Sequence, residues 1–319
     1  MQCKVLSLVG YLLMLSGCIS VSLFPTPGPL TETQLSGEGS DKVLIVDVSG
    51  LIASTTQGTL IKQPSLPARI KEELTMALED PRIQAVVLRI NSPGGTVTAS
   101  DIIYHEIQVF KKKRDIPVIA SIMDVGASGG YYVALASDHI VAHPSSVTGS
   151  LGVIMLTLNA AGLLEKVGVE ATSITSGPHK DIGSPFRTMT SKEQAIFQSV
   201  IDSFYEQFLD VIHQGRPKLT MTAIRTHADG RIYSAAQAYE RGLIDQVGYL
   251  EDAIEQAKKK AGLKKAKVVV YNRPRDYKHN IYSAWSQESL RMSAFPQIDA
   301  FTVTRLLGGG PQFMYVWWP

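Results

Sequence analysis

From Lys42 onward the chain alternates short apolar runs with segments of helical spacing. Lys42 to Ile52, KVLIVDVSGLI, carries Val, Leu and Ile with few polar interruptions, which predicts a buried first strand. Ser65 to Glu79 sets Leu66, Ile70, Leu74 and Leu78 on one face and predicts an amphipathic helix. Val86 to Ile90 is a second buried strand, Ala99 to Lys113 a helix closed by a lysine cluster, and Pro117 to Met123 a third strand. Tyr131 to Ala136 reads as a helix and Asp138 to Ala142 as a strand, with another at Leu151 to Met155 after the turn Thr148 to Ser150. Strands alternating with helices at this spacing predict an α/β fold built on a parallel sheet with right-handed crossovers.

The second half is less regular. Ala171 to Thr190 begins as a strand and runs into a polar loop bearing glycine and proline. Ser191 to His213 predicts a long amphipathic helix capped by Ser191, with Glu193 in its first turn. A short helix follows, and Gly230 to Asp245 brings the chain back towards another strand. From Asn272 the pattern turns irregular and aromatic, ending PQFMYVWWP. Such a tail is expected to pack on a neighbouring subunit, the parent domain or a lipid surface.

The amino terminus changes the picture. MQCKVLSLVGYLLMLSG carries one lysine and an apolar run too short to span a bilayer comfortably, the form of an export signal. Leu15-Ser16-Gly17-Cys18 resembles the bacterial lipoprotein processing motif, with Cys18 acylated as the first mature residue; an ordinary signal peptide or an uncleaved anchor would carry the cysteine incidentally. Lipidation of Cys18 leaves a mature chain without a disulfide, because the only other cysteine, Cys3, leaves with the signal. Residues 18–40 are rich in Pro, Gly, Ser and Thr and read as a flexible tether. The expected organisation is a lipoprotein signal over 1–17, a tether over 18–40, a folded domain over 41–272 and a C-terminal extension over 273–319. The expected location is the bacterial cell envelope, anchored by lipid and facing the extracytoplasmic side.

At 319 residues, 45% of them hydrophobic, the chain is long enough for a sizeable core in one domain or two closely packed ones. A net charge of +2 and the lack of a basic run with interleaved aromatics argue against a nucleic-acid partner.

The candidate chemistry lies in two glycine-rich corners, Ser92 to Gly95 and Ala127 to Gly130, each placed after a strand and before a helix. Such corners present backbone N–H groups to a developing negative charge. Ser128 is a candidate nucleophile, flanked by Ala127, Gly129 and Gly130, although an ordinary tight turn is built from the same residue types. A serine hydroxyl needs a base. Of the seven histidines only His179 stands in a constrained loop. His139 and His143 are four apart in a strand-like segment, a spacing that suits a metal only on a helix, so no metal and no cofactor is expected. Lys180, between Gly177, Pro178, Gly183 and Pro185, could act as a base if burial lowered its pKa; a solvated surface charge is the plainer reading.

The motifs NSPGG at Asn91, GASGGYYVA at Gly126, TGSLGVI at Thr148, GPHKDIGSPFR at Gly177 and GRIYSAAQAYERGLID at Gly230 occur in an order that resembles the signal peptide peptidase A family of serine-lysine proteases, over roughly Lys42 to Val270. The resemblance implies a Clp/crotonase-like fold of repeated ββα units. It implies Ser128 as nucleophile, Lys180 as general base and Ser150 as the hydroxyl orienting the lysine amine. The Gly129 amide, with one from Gly94 or Gly95, is implied as the oxyanion hole. His179 departs from the tyrosine or lysine expected before the base and adds a titrating group there. Expected partners are peptide substrates such as signal-peptide remnants, the membrane through the N-terminal lipid, and further copies of the chain in a ring or dome. The competing expectations are a crotonase-type acyl-CoA enzyme, disfavoured by export, and a non-catalytic lipoprotein scaffold, disfavoured by the presence of both Ser128 and Lys180.

Overall fold

The computed structural model describes residues 28–54, 64–273, 280–283 and 312–317. Cys18, the signal over 1–17 and the first part of the tether lie outside the described residues, as does most of the C-terminal extension.

A sheet forms the centre. Its parallel strands are β2 (Lys42–Ser49), β3 (Ile83–Ser92), β5 (Val118–Ala127), β6 (His139–Ala142), β10 (Gln246–Val247) and β11 (Lys267–Asn272), and β1 (Thr31–Gly37) adds an antiparallel edge. The order is β1-β11-β2-β3-β5-β6-β10. Near-continuous apolar runs form these strands because both faces are covered. Leu44, Val46, Val86, Leu88 and Ile122 point to one face, against α1 (Leu66–Glu79), α2 (Val97–Lys113) and α3 (Gly129–Ala134). The alternate residues Val43, Ile45, Val87, Ile119 and Val141 meet Leu250, Ala253, Ile254 and Ala257 of a helix over Leu250–Lys260. This is the Clp/crotonase-like α/β architecture.

Several expectations are corrected. The tether ends earlier than Ser40, because Thr31–Gly37 pairs with β11 in register Thr31↔Asn272 to Gly37↔Lys267. An exposed edge strand is held by main-chain bonds, so its polar sequence gives no apolar signal. The strand expected from Ala171 does not form; residues 171–175 carry no regular structure and are exposed. The long helix runs Ser191–Gly215 and its cap is Thr190, not Ser191: the Thr190 hydroxyl accepts from the Glu193 N–H at 3.3 Å and the Glu193 carboxylate accepts from the Thr190 N–H at 2.9 Å.

Two departures from a simple sheet build the site. The first half of β5 pairs with β6, while Val125–Ala127 pairs with β7 (Val147–Gly149), a strand inside the segment expected to be a turn. Antiparallel to β7 lies β9 (Ile232–Ser234), which brings the Gly230 motif against Ser150. A separate three-stranded sheet joins β4 (Gly94–Thr96), β12 (Gln312–Val316) and β8 (Ile154–Leu156), so the strand expected at Leu151 belongs to this second sheet and begins at Ile154. The closing aromatic segment therefore packs on its own domain. Tyr315 is fully buried, stacked on Tyr132 at 5.2 Å between centroids and tilted against Phe208 at 4.7 Å, and its hydroxyl donates to the Phe204 carbonyl at 2.8 Å. Burial of a ring this size stabilises by about 3 kcal/mol. No helix among the described residues is long and apolar enough to cross a membrane.

Candidate active site

Strand β5 ends in a forced corner. Ser128 has φ 50° and ψ −114°, a backbone conformation that a residue with a Cβ adopts at a cost of about 1–3 kcal/mol. The corner is held from both sides. The Ser128 N–H donates to the Gly149 carbonyl at 2.8 Å and the Ser128 carbonyl accepts from Tyr132 N–H at 2.8 Å. The Ser128 Oγ is buried and makes no hydrogen bond. An orphaned buried hydroxyl costs about 1–3 kcal/mol, so a serine kept only for the turn would be poorly chosen here.

The glycines around it are set by close approach. Gly94, at φ +102°, has no room for a Cβ, which would stand 1.9 Å from the Tyr315 carbonyl oxygen and 2.7 Å from the Gly129 nitrogen. A Cβ on Gly129 would meet the Ser100 Oγ at 2.4 Å, and one on Gly130 the Ser92 carbonyl at 2.6 Å. Of the two amides left open by the sequence, that of Gly94 is engaged, donating to the Ser92 Oγ at 3.1 Å. Gly94 and Thr96 also bond Ile52 on one side of the strand, so the Gly95 amide faces β12. The pairing Val316↔Gly94 and the bond from Trp317 N–H to the Pro93 carbonyl set the Tyr315 carbonyl against that amide. A carbonyl of an extended segment thus lies between Gly95 and Gly129.

Gly94→Ala is expected to lower kcat/KM at least about a hundredfold, the cost of a misaligned oxyanion donor. Peptide-cleavage kinetics check it. An alanine enzyme working at the wild-type rate would show room in the strand that this geometry denies.

The remaining candidates divide. Ser150 follows β7 with φ 50°, next to the Gly149 that holds Ser128, and its N–H donates to the Arg231 carbonyl at 2.7 Å. Ser128, Ser150, Gly94, Gly95 and Gly129 are therefore gathered at one sheet edge. Lys180 is not joined to them. Its side chain is exposed, not buried, and among the described residues its amine makes no hydrogen bond or ion pair. The neighbouring His179 has a buried Nδ1 without a partner.

The first two residues of the NSPGG motif, given no role by the sequence, also build the site. Asn91 accepts from the Val125 N–H at 3.1 Å and donates to Asp124 at 2.9 Å, fixing the second half of β5. Ser92, fully buried, donates to the Gly50 carbonyl at 2.6 Å while it holds Gly94. Polar residues closing a buried strand were the available signal. At the opposite end of the sheet a 530 Å³ cleft includes Lys42, Glu32 and Asp80, whose charges are paired with one another at 2.6 and 2.7 Å.

A strained, buried serine among glycine amides on a Clp/crotonase-like sheet defines a serine peptidase. The profile of peptidase family S49 matches residues 110–264, and that of the Clp proteases matches residues 60–147. A protein of Enterococcus faecium provisionally named signal peptide peptidase SppA is 38% identical over 241 residues, covering 75% of this chain and 70% of its own. A provisionally named protease of Synechocystis is 40% identical over 71% of this chain and 77% of its own, and the chloroplastic serine protease SPPA of Arabidopsis thaliana 35% identical over 74% and 35%. The chain belongs to peptidase family S49.

Proposed function

We propose that the protein is a membrane-tethered endopeptidase that cleaves small apolar peptides, including signal-peptide remnants, through a Ser128–Lys180 dyad. The observation that carries this reading is the strained Ser128, whose buried hydroxyl has no hydrogen-bond partner, in a corner packed closely against the glycines Gly94 and Gly129. The pairing of β12 along the neighbouring glycine strand shows that this edge takes an extended segment by main-chain bonds, the mode of recognition by added β-strand that a substrate would use in its place.

In the proposed reaction the neutral Lys180 amine takes the Ser128 proton as the Oγ attacks the substrate carbonyl, and the Gly95 and Gly129 amides stabilise the oxyanion. The lysine ammonium returns that proton to the leaving amine as the peptide bond breaks, leaving an acyl-enzyme ester. Water, deprotonated by the same amine, then hydrolyses the ester and frees Ser128. Ser150 orients the amine. No metal or cofactor takes part.

Lys180 is exposed in a single chain, and the segment leading to it exposes Leu156, Leu163, Val167, Val169 and Ile174, the last almost completely. An apolar face of that extent supports a homo-oligomeric ring or dome in which neighbouring subunits bury the lysine and complete the site. The domain would extend over 41–272 with strand β1 and segment 312–317 added to it.

A fluorophosphonate probe tests the central claim: one probe mass is expected on the Ser128 peptide, and labelling elsewhere would refute the assignment. The tether is tested separately. Cys18→Ser is expected to leave an unprocessed precursor of higher mass in membranes, and fatty-acid labelling that persists in this variant would refute Cys18 as the lipid site.

A further inference from the structure

The loop that carries Lys180 has little backbone support. Lys180 N–H reaches the Gly177 carbonyl at 3.2 Å, Ile182 N–H the His179 carbonyl at 3.3 Å, and Ser184 N–H the Asp181 carbonyl at 3.0 Å. These are local turn bonds, the first two long. They shape the loop, and the backbone bond that leaves it, from Ala160 N–H to the Pro185 carbonyl at 2.7 Å, lies five residues beyond Lys180.

Arg187 supplies the fixture. Its Nε and Nη2 donate to the two oxygens of Asp181 at 2.8 and 2.7 Å, and its Nη1 and Nη2 donate to the two oxygens of Glu193 at 2.9 and 2.5 Å. One guanidinium therefore forks two carboxylates, a geometry that a lysine ammonium cannot reproduce. Glu193 is itself held, buried at the start of the Ser191–Gly215 helix and bonded by Thr190 through both N–H and hydroxyl. That helix is seated in the core by Phe208, Leu209 and Ile212. The chain of contacts runs from the core through Glu193 and Arg187 to Asp181, the residue next to Lys180. Arg187 holds the Glu193 carboxyl down at about 2 and Asp181 below its usual range, so the clamp stays ionised at any working pH.

We infer that Arg187 is a positioning residue for the peptidase reaction, clamping Asp181 to the start of this helix so that the Lys180 amine is presented in one place. The inference rests on the reading of Lys180 as the base. Arg187 touches neither Ser128 nor a substrate, so its effect is expected in kcat rather than in KM.

The test uses the full chain with Arg187→Ala, Arg187→Lys and Lys180→Ala in parallel. Arg187→Ala is expected to lower kcat about ten- to a hundredfold, as displacement of a reacting group by about 1 Å does, with KM within about twofold. Labelling of Ser128 by the fluorophosphonate should slow in proportion, and amide exchange over 178–186 should quicken. Arg187→Lys, which reaches one carboxylate at a time, should fall between the two. A structural ion pair alone would lower the melting temperature of Arg187→Ala and leave its folded fraction fully active. Full kcat in Arg187→Ala beside a dead Lys180→Ala overturns the positioning role and spares the base. An active Lys180→Ala overturns the base assignment and this inference with it. Unchanged exchange over 178–186 in Arg187→Ala overturns the clamp whatever the kinetics.

Discussion

Ser128→Ala is expected to lose peptide cleavage by several orders of magnitude and to accept no fluorophosphonate, while its folded fraction and melting temperature match or slightly exceed those of the wild type. The kinetic part follows from removal of the only group able to form the acyl-enzyme, a loss of about a millionfold in comparable sites. The stability part follows from the packing. The Ser128 Oγ has no hydrogen-bond partner, so its deletion orphans nothing and relieves a buried unsatisfied hydroxyl. The strained φ of 50° is unchanged, since serine and alanine both carry a Cβ. Activity above a percent or so of wild type would sink the nucleophile assignment. A clear drop in melting temperature would show instead that the hydroxyl supports the corner.

Lys180→Arg is expected to be as inactive as Lys180→Ala, because a guanidinium keeps the charge but does not deprotonate at any working pH. An active arginine variant would point to another base, with His179 first in line. Whether one chain holds both members of the dyad is decided by mixing. If Lys180 serves the Ser128 of a neighbour, Ser128→Ala and Lys180→Ala chains combined before assembly form some sites with both native groups and recover part of the activity. If one chain holds both, every site lacks a member and the mixture stays inactive. Light scattering in detergent checks assembly independently, and a fully active monomer would overturn the oligomer.

Much of this protein was legible in its residues. Buried parallel strands declare themselves as continuous apolar runs, and helices α1 and α2 by their 3.6-residue spacing, because both signals are local. The corners at Ser92 to Gly95 and Ala127 to Gly130 were legible for a related reason. Glycine stands where another backbone comes so close that a Cβ would overlap it, as at Gly94 and Gly130, and those contacts leave their mark in the sequence itself.

What the tertiary structure alone decided is long-range pairing, which no local pattern encodes. The pairing of β1 with β11 spans more than two hundred residues and is made by backbone groups that every sequence possesses, so a polar segment read as tether became a strand. The division of β5 between β6 and β7 sets Ser150 beside Ser128, and the arrival of β12 sets the Tyr315 carbonyl against the Gly95 amide while Ser92 takes that of Gly94. The strand expected from Ala171 failed because its side chains find no sheet edge or core to cover them, and apolar spacing forms a strand only where something buries it. By itself the sequence identified the family and its candidate residues. Only the folded chain showed that Lys180 stands exposed next to the Arg187–Asp181 contact, while the Ser128 hydroxyl lies buried without a hydrogen-bond partner.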